Sequence, residues 1–187
     1  MKQQSRPMCY IVLLRGINVG GHASVSMKDL KSCFEKLGFR DVVTYINSGN
    51  IIFSDSRTSI AELVQHIETG IKTYCRMDIR VVVKSKKDLV AICKELPDEW
   101  VTDRSMRTDV MFLWDEVDTP QMRSEIPTNP VVDRLVHVKG AVIWNVDRKN
   151  YAKSKLPKII GTRVYKNMTA RNANTTRKLL EMMSRYN

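Results

Sequence analysis

The chain of 187 residues is 43% hydrophobic and carries a formal net charge of +11, a composition typical of a folded soluble protein rather than a disordered one. Its apolar stretch near the start, residues 9–14, is too short for a signal peptide or for the roughly 20 residues of a membrane helix, so we expect a cytoplasmic protein with no membrane partner. The cysteines show no Cys-x-x-Cys spacing and are expected to be buried thiols rather than disulfides; they are Cys9, Cys33, Cys75 and Cys93.

The first half of the chain predicts strand, helix, strand, strand, helix, strand. The apolar run at residues 9–14 is typical of a strand buried on both faces, and residues 42–46 and 51–53 form a predicted hairpin. Helices are expected after Ser26 and Ser59, because each is followed three residues later by an acid in a capping box. Residues 80–84 supply a fourth strand and residues 85–96 a further helix. This order is that of a ferredoxin-like βαββαβ unit.

The second half predicts a duplication of this order. Strands are expected at residues 110–114, 131–138 and 141–146, with a short helix opened by Thr119 and Pro120. A helix over 151–160, a strand near 163–166 and a last helix capped by Asn174 complete the half. We therefore predict an α+β fold of two tandem ferredoxin-like units, each followed by an extra helix. Residues 1–8 are a predicted flexible N-terminus, 9–96 and 108–187 the two units, and 97–107 the linker.

Three motifs in this chain resemble a known family. They are LRGINVGG at residues 14–21, YINSGN at 45–50 and TARNANT at 169–175. With them the chain is similar, from Tyr10 to Met183, to the family catalogued as domain of unknown function 1697, which comprises small, mainly bacterial proteins. Members usually carry a Trp where this chain has Ala173 and a Thr where it has Ala170. The resemblance implies an α+β fold with ferredoxin-like halves and a cytoplasmic location, and it implies no activity.

A glycine-rich loop, residues 15–25, joins the first strand to the first helix. Glycines allow backbone N–H groups to approach an anion, and a helix N-terminus favours negative charge. Arg15, Asn18, Gly20 and Gly21 are therefore candidate ligand-binding residues. The alternative is that Arg15 pairs with a nearby acid and the glycines only shape a tight crossover.

The standard nucleotide-binding loops are not matched. His22 and Ala23 stand where a P-loop requires Lys and Ser/Thr, and the G-x-G-x-x-G pattern is missing. We expect no cofactor. The three histidines are isolated, none has metal-ligand spacing, and we expect no metal. His22 is the only candidate for acid–base catalysis, whereas His66, within an amphipathic helix, is expected to be a surface or boundary residue and His137 to have a structural role.

Two asparagine-rich motifs allow a structural and a functional interpretation. Asn47 and Asn50 flank a Ser-Gly pair, which is most simply a turn, with ligand binding as the alternative. Near the C-terminus, Asn174 suffices as the helix cap. Arg171 and Asn172 are then surplus polar groups, which either tie the last helix to the first half or face a ligand.

Almost all of the net positive charge lies in residues 148–187, which hold eleven Lys and Arg and a single acid, Glu181. Such an excess concentrates anions near one surface, and Tyr151 and Tyr165 are interleaved with it and suited to stacking on bases. The alternative is a solvated charged face. The expected basic surface comprises Lys153, Lys155, Lys158, Arg163, Lys166, Arg177 and Lys178.

Three functions are compatible with these patterns. The favoured one is a cytosolic binding protein for an anionic ligand, nucleic acid before a phosphorylated small molecule, in a cleft between the halves formed by residues 15–22 and 171–174. The second is an enzyme acting on a small phosphorylated or nucleotide substrate in that cleft. The third is an interaction module without a ligand. These hypotheses predict, in turn, a basic groove with tyrosines, a deep pocket with perturbed titratable groups and an exposed apolar patch.

Overall fold

The computed structural model describes residues 7–17 and 25–186. The strands are β1 (Met8–Leu14), β2 (Arg40–Tyr45), β3 (Asn50–Asp55), β4 (Val81–Ser85), β5 (Met106–Leu113), β6 (Arg134–Val138), β7 (Ala141–Asp147) and β8 (Met168–Asn172). The helices are α1 (Met27–Lys36), α2 (Ile60–Cys75), α3 (Lys86–Lys94), α4 (Pro120–Ser124), α5 (Arg163–Lys166) and α6 (Ala173–Met183), with 3₁₀ segments at Asp115–Val117, Arg148–Lys153 and Leu156–Ile159. Within these described ranges, no helix has the length and apolar character needed to cross a membrane.

The chain divides into two compact units. Met1–Lys87 together with Glu181–Asn187 forms the first unit, and the residues between them, 88–180, form the second. The division falls inside α3, ahead of the predicted linker at residues 97–107. Of the predicted flexible N-terminus, residues 1–6 lie outside the described residues, and Met8 already belongs to β1.

Each unit contains one four-stranded antiparallel sheet with helices, which confirms the mixed α and β class. The strand order is β2-β3-β1-β4 in the first unit and β6-β7-β5-β8 in the second. Every neighbouring pair in both sheets is antiparallel. In both units, therefore, the first strand in sequence lies between the third and the fourth.

The central strand β1 is buried on both faces, as its continuous apolar sequence predicts. Tyr10 and Val12 point to one face and Ile11 and Leu13 to the other, because alternate residues of a strand face opposite sides. None of these four side chains is more than 1% exposed. On the Tyr10 face, aromatic rings fill the core of the first unit, and the Phe53 ring centroid lies 5.6 Å from that of Tyr10.

The helix starts follow the predicted capping residues. The Asp29 N–H donates to Ser26 Oγ at 3.0 Å and the Glu62 N–H donates to Ser59 Oγ at 3.3 Å. At α4 the side chain of Thr119 accepts from the N–H of Met122. Each cap satisfies one of the backbone N–H groups that the first turn of a helix leaves without an intrahelical partner, and the sequence prediction is confirmed at all three.

Residues 151–166 depart from their predicted structure. The predicted helix 151–160 is wrong: two 3₁₀ segments replace it, because Ser154 between them has an extended backbone (φ −64°, ψ 143°) and Pro157 lies in the first turn of the second segment. The predicted strand 163–166 is also wrong. Those residues form α5, whose first turn is capped by Thr162, since its side chain accepts from the Tyr165 N–H. The fourth strand is β8, which pairs along β5.

The cap of the last helix lies two residues before its predicted position. The N–H of Thr175 donates to Asn172 Oδ1 at 2.8 Å, so Asn172 supplies the cap and Asn174 does not. Both residues are good N-cap types. The choice between them is made by β8, because a strand that continues to Asn172 leaves the helix to begin at Ala173.

All four cysteines are free thiols, two buried and two partly buried. Burial raises the pKa of Cys9 and of Cys93 to about 11 and that of Cys33 to about 12. Cys33 and Cys75 also share a hydrogen bond. Because the thiolate is the reactive form, these thiols are held in their unreactive state at neutral pH.

Candidate functional site

The glycine-rich loop lies mostly outside the described residues. Asn18, Gly20, Gly21 and His22 all fall in residues 18–24, so the anion site and the acid–base residue assigned to them stay predictions. Arg15, at the end of β1, is described; its backbone N–H donates to the Arg80 carbonyl at 3.2 Å. The enzyme hypothesis and the predicted cleft likewise stay predictions.

The residues around Gly49 form the predicted turn. Asn50 is fully buried, and its Nδ2 donates to the Tyr45 carbonyl at 3.0 Å and to Ser48 Oγ at 2.9 Å. The Gly49 carbonyl accepts from the Leu14 N–H at 2.9 Å. Asn50 thus holds the turn closed, and the turn is bonded to the central strand. Asn47 belongs to the same turn.

The surplus polar residues near the C-terminus make contacts inside the second unit. Arg171 is buried in β8, where its Nη1 donates to Thr169 Oγ1 at 3.0 Å and to the Ala170 carbonyl at 2.8 Å. Burial lowers the pKa of its guanidinium to about 10, which leaves it charged at neutral pH. Asn174 pairs with the backbone of Thr102, accepting from its N–H at 3.1 Å and donating to its carbonyl at 2.8 Å.

The predicted basic surface is divided by the structure into two groups. Arg177 is half-buried, and its guanidinium donates to the carbonyls of Trp100 and Pro97 at 2.9 and 2.6 Å; Lys178 is half-buried too. The other group is exposed and forms no ion pair with any described residue. Together with Lys149, which is also exposed and forms no ion pair with a described residue, this group is called the basic segment; its members are Lys149, Lys153, Lys155, Lys158, Arg163 and Lys166.

A pocket of about 320 Å³ is lined in part by residues that alternate with the basic segment along the chain. Its floor is one face of the second sheet, where Asp109 of β5 is paired in register with Trp144 of β7, and Met111 with Ala170 of β8. Its walls come from the two irregular stretches that follow β7. The wall residues are Tyr151, Leu156, Pro157, Ile159, Ile160 and Tyr165.

Arg107 and Asp109 form an ion pair at this pocket. Arg107 Nε donates to Asp109 Oδ2 at 2.8 Å and its Nη1 donates to the Tyr151 hydroxyl at 3.0 Å. The guanidinium carbon lies 5.7 Å from the ring centroid of Trp144 and 5.5 Å from that of Tyr151, within the range of cation–π attraction. The pocket therefore combines a fixed guanidinium, a carboxylate and aromatic rings.

Asp133, which does not line the pocket, holds the backbone next to the pocket wall through hydrogen bonds. Its carboxylate accepts from the indole Nε1 of Trp144 at 3.0 Å, from the Asn129 N–H at 2.7 Å and from the Lys155 N–H at 3.1 Å. It is only 6% exposed. Burial raises the pKa of this carboxyl, but hydrogen bonds led by that from Ser154 outweigh burial, and the pKa lies below its usual value. Asp133 thus joins the sheet to Ser154 and Lys155, the two residues that connect the 3₁₀ segments.

Sequence reasoning missed the floor of this pocket. Arg107, Asp109 and Met111 alternate along one strand, which is the available sequence signal for a shared face. Trp144 and Ala170 join that face only through the register of β5 with β7 and β8, which no local pattern specifies. Asp133 was missed for the same reason, because its partners lie eleven and twenty-two residues further along the chain.

The remaining candidates for a functional site are metal-ligating clusters, two histidines and a second pocket. Among the described residues, no group of three or more His, Cys, Asp or Glu side chains could hold a metal ion. His66 is half-buried, as predicted, with Nε2 at 3.1 Å from the Leu37 carbonyl. His137 is exposed on β6, and desolvation followed by the charge of Arg123 lowers the pKa of its imidazole. A polar pocket of about 340 Å³ also lies between α1 and the end of α2.

With two similar four-stranded units and a pocket beside a basic segment, the chain is a two-unit α/β protein. It belongs to a family described as protein of unknown function (DUF1697), whose model matches residues 8–144. The solved structure of a conserved bacterial protein from Streptococcus pneumoniae is similar, with 30% sequence identity and a TM-score of 0.80, over 95% of this chain and 99% of that chain. The curated proteins contain no match to the chain.

Proposed function

We propose that the second unit binds an anionic ligand, nucleic acid in particular, through the basic segment. The observation that carries this proposal is the set of six exposed basic side chains between residues 149 and 166, none of which is ion-paired within the described chain. Charges without a protein partner are neutralised by solvent ions, and a polyanion that replaces those ions releases them, which favours binding. The expected partner is therefore a chain of phosphates rather than a single carboxylate.

The strand order of the sheets also supports nucleic-acid binding. The strand order β2-β3-β1-β4 with antiparallel neighbours, together with the strand and helix order of the first unit, supports a ferredoxin-like arrangement. We infer this arrangement for both units. Ferredoxin-like sheets with exposed aromatic side chains are a common RNA-binding platform; here the exposed Tyr151 and Tyr165 lie outside the strands, in a 3₁₀ segment and in α5. Free cysteines suit the reducing cytoplasm, where we expect the protein to act.

The first test is the salt dependence of binding to a labelled single-stranded RNA, followed by fluorescence anisotropy. If all six side chains of the basic segment contact phosphates, log K falls with log salt at a slope of about −4, a loss of roughly 300-fold between about 50 and 200 mM salt. Changing Lys153, Lys155 and Lys158 to Glu removes three contacts. We expect at least a tenfold loss of affinity at the lower salt and a slope near −2.

The matched control changes three exposed lysines elsewhere, Lys28, Lys87 and Lys94, to Glu. This variant has the same net charge as the first but an intact basic segment, and it is expected to bind within about threefold of the wild type, since all six proposed phosphate contacts are kept. Equal losses in the two variants would show that only net charge matters. An absence of binding by the wild type at about 50 mM salt contradicts the proposal.

A further inference from the structure

We infer that the pocket of the second unit receives an unpaired base of a single-stranded nucleic acid while the basic segment holds the adjoining phosphates. This inference rests on the proposed function and adds to it a subsite and a preference for single strands. Its basis is an apolar, aromatic pocket whose wall residues alternate along the chain with exposed basic residues, together with the polar pair Arg107 and Asp109 at the pocket.

The pocket offers ring surfaces to a ligand. Tyr151 and Tyr165 line it and are 36% and 37% exposed, and Ile160 beside them is 68% exposed. Large apolar groups left exposed around a concave site favour a ligand that covers them. A volume of about 320 Å³ lies at the lower end of the range for small-molecule sites. The site therefore suits one planar ring system rather than a folded partner.

The polar pair gives the pocket groups that match the edge of a base. Asp109 is an acceptor for exocyclic amino groups, as carboxylates are toward cytosine N4. Arg107 uses its Nε and one Nη1 bond within the protein, and a guanidinium has five N–H donors in all, so donors are left for base oxygens or a phosphate. Arg107 also lies across the Tyr151 ring, where it extends the stacking surface.

The charges and the apolar groups alternate along the chain. Lys155 and Lys158 flank Leu156 and Pro157 of the pocket wall, and Lys166 follows Tyr165. Neighbouring Cα atoms are about 3.8 Å apart, so these ammonium groups lie on the order of one Debye length from the wall. A ligand that is aromatic at its centre and anionic on either side matches this pattern. A duplex does not, because its bases are stacked inside the helix.

The test separates the base from the phosphates by blocking the pocket without changing charge. Ala170 is exposed on β8 and lines the pocket, and an aromatic side chain is well tolerated on a strand surface. Ala170→Trp is expected to weaken binding of labelled oligouridine at least tenfold. Binding of inorganic polyphosphate, which has no bases, is expected to change less than twofold. Val131→Trp, at an 87% exposed position outside the pocket lining, serves as the control.

A second variant keeps the inference testable if Ala170→Trp fails to fold. Tyr165→Ala opens the pocket instead of filling it and is expected to cost about 5- to 100-fold in oligouridine affinity, the loss typical of one stacked base. If both variants bind oligouridine as the wild type does while polyphosphate still binds, the base subsite is wrong and the proposed function stands. If the wild type binds neither probe, the proposed function itself fails. Tighter binding of duplex DNA than of oligouridine also overturns the inference.

Discussion

Asp133→Ala is expected to lower the free energy of unfolding of the second unit by about 3–5 kcal/mol. The carboxylate accepts hydrogen bonds from Trp144, Asn129 and Lys155, and each donor that loses its partner in a buried site costs roughly 1–3 kcal/mol. Alanine can replace none of these bonds. The variant should also loosen the 3₁₀ segment that carries Leu156 and Pro157 into the pocket.

Tryptophan fluorescence during urea unfolding reports the stability of the second unit. All three tryptophans of the chain lie in that unit, residues 88–180; they are Trp100, Trp114 and Trp144. The control is Asp147→Ala. Asp147 pairs with Arg134, and both side chains are solvent-accessible, at 36% and 47%, so the expected loss is below about 1 kcal/mol. Equal losses for the two aspartates would contradict the role given to Asp133.

The contribution of the Asp133 carboxylate to the free energy of unfolding is expected to depend on pH. Its pKa is lower in the folded protein than the usual value, whereas in the unfolded chain it is about 3.9. The stability that the carboxylate supplies is therefore fully present above about pH 4 and is lost as pH falls through the folded-state pKa. The difference in stability between the wild type and Asp133→Ala is expected to be constant from pH 5 to 7 and to shrink below pH 4.

Gly49→Ala is expected to destabilise the first unit by about 2–5 kcal/mol. Gly49 has a φ of +69°, and an added Cβ would lie 2.8 Å from Leu14 Cβ and 2.7 Å from Ile17 Cδ1. The backbone conformation costs an L-residue about 1–2 kcal/mol, and forced overpacking costs about 1–3 kcal/mol more. Leu14 Cβ belongs to the end of the central strand and cannot move without it.

Gly38→Ala is the matched control for Gly49→Ala. Gly38 has a φ of +85°, and a Cβ there would meet nothing within 4 Å. This variant carries the backbone cost alone, about 1–2 kcal/mol, so the difference between the two variants measures the clash. The first unit holds no tryptophan, and urea unfolding followed by far-UV circular dichroism is the appropriate measurement. Equal losses would mean that the turn has room at Gly49.

The parts of the fold that were predicted from the sequence are those decided by neighbouring residues. Ser26, Ser59 and Thr119 cap helices through contacts three residues away. The turn at Gly49 is likewise local. The burial of β1 follows from six consecutive apolar residues, and the element order then restricts the sheet to few topologies.

The C-terminal region was harder to predict because its local signals compete. Asn172 and Asn174 are equally good caps, and pairing of β8 with β5 decides between them. Residues 163–166 contain β-favouring side chains, but Thr162 caps them into a helix. The pocket floor depends on strand register, and Asp133 on partners distant in sequence. Long-range pairing of this kind leaves no local pattern in a single chain.

The central claim is that a single-stranded nucleic acid binds to the basic segment and the adjoining pocket of the second unit. The most direct measurement is a titration of ¹⁵N-labelled protein with oligouridine at about 50 mM salt, followed by amide chemical shifts. We predict that the shifts concentrate in residues 107–111 and 149–170 and spare α1 and α2. Shifts confined to the first unit, or no shifts at saturating oligouridine, would contradict the claim.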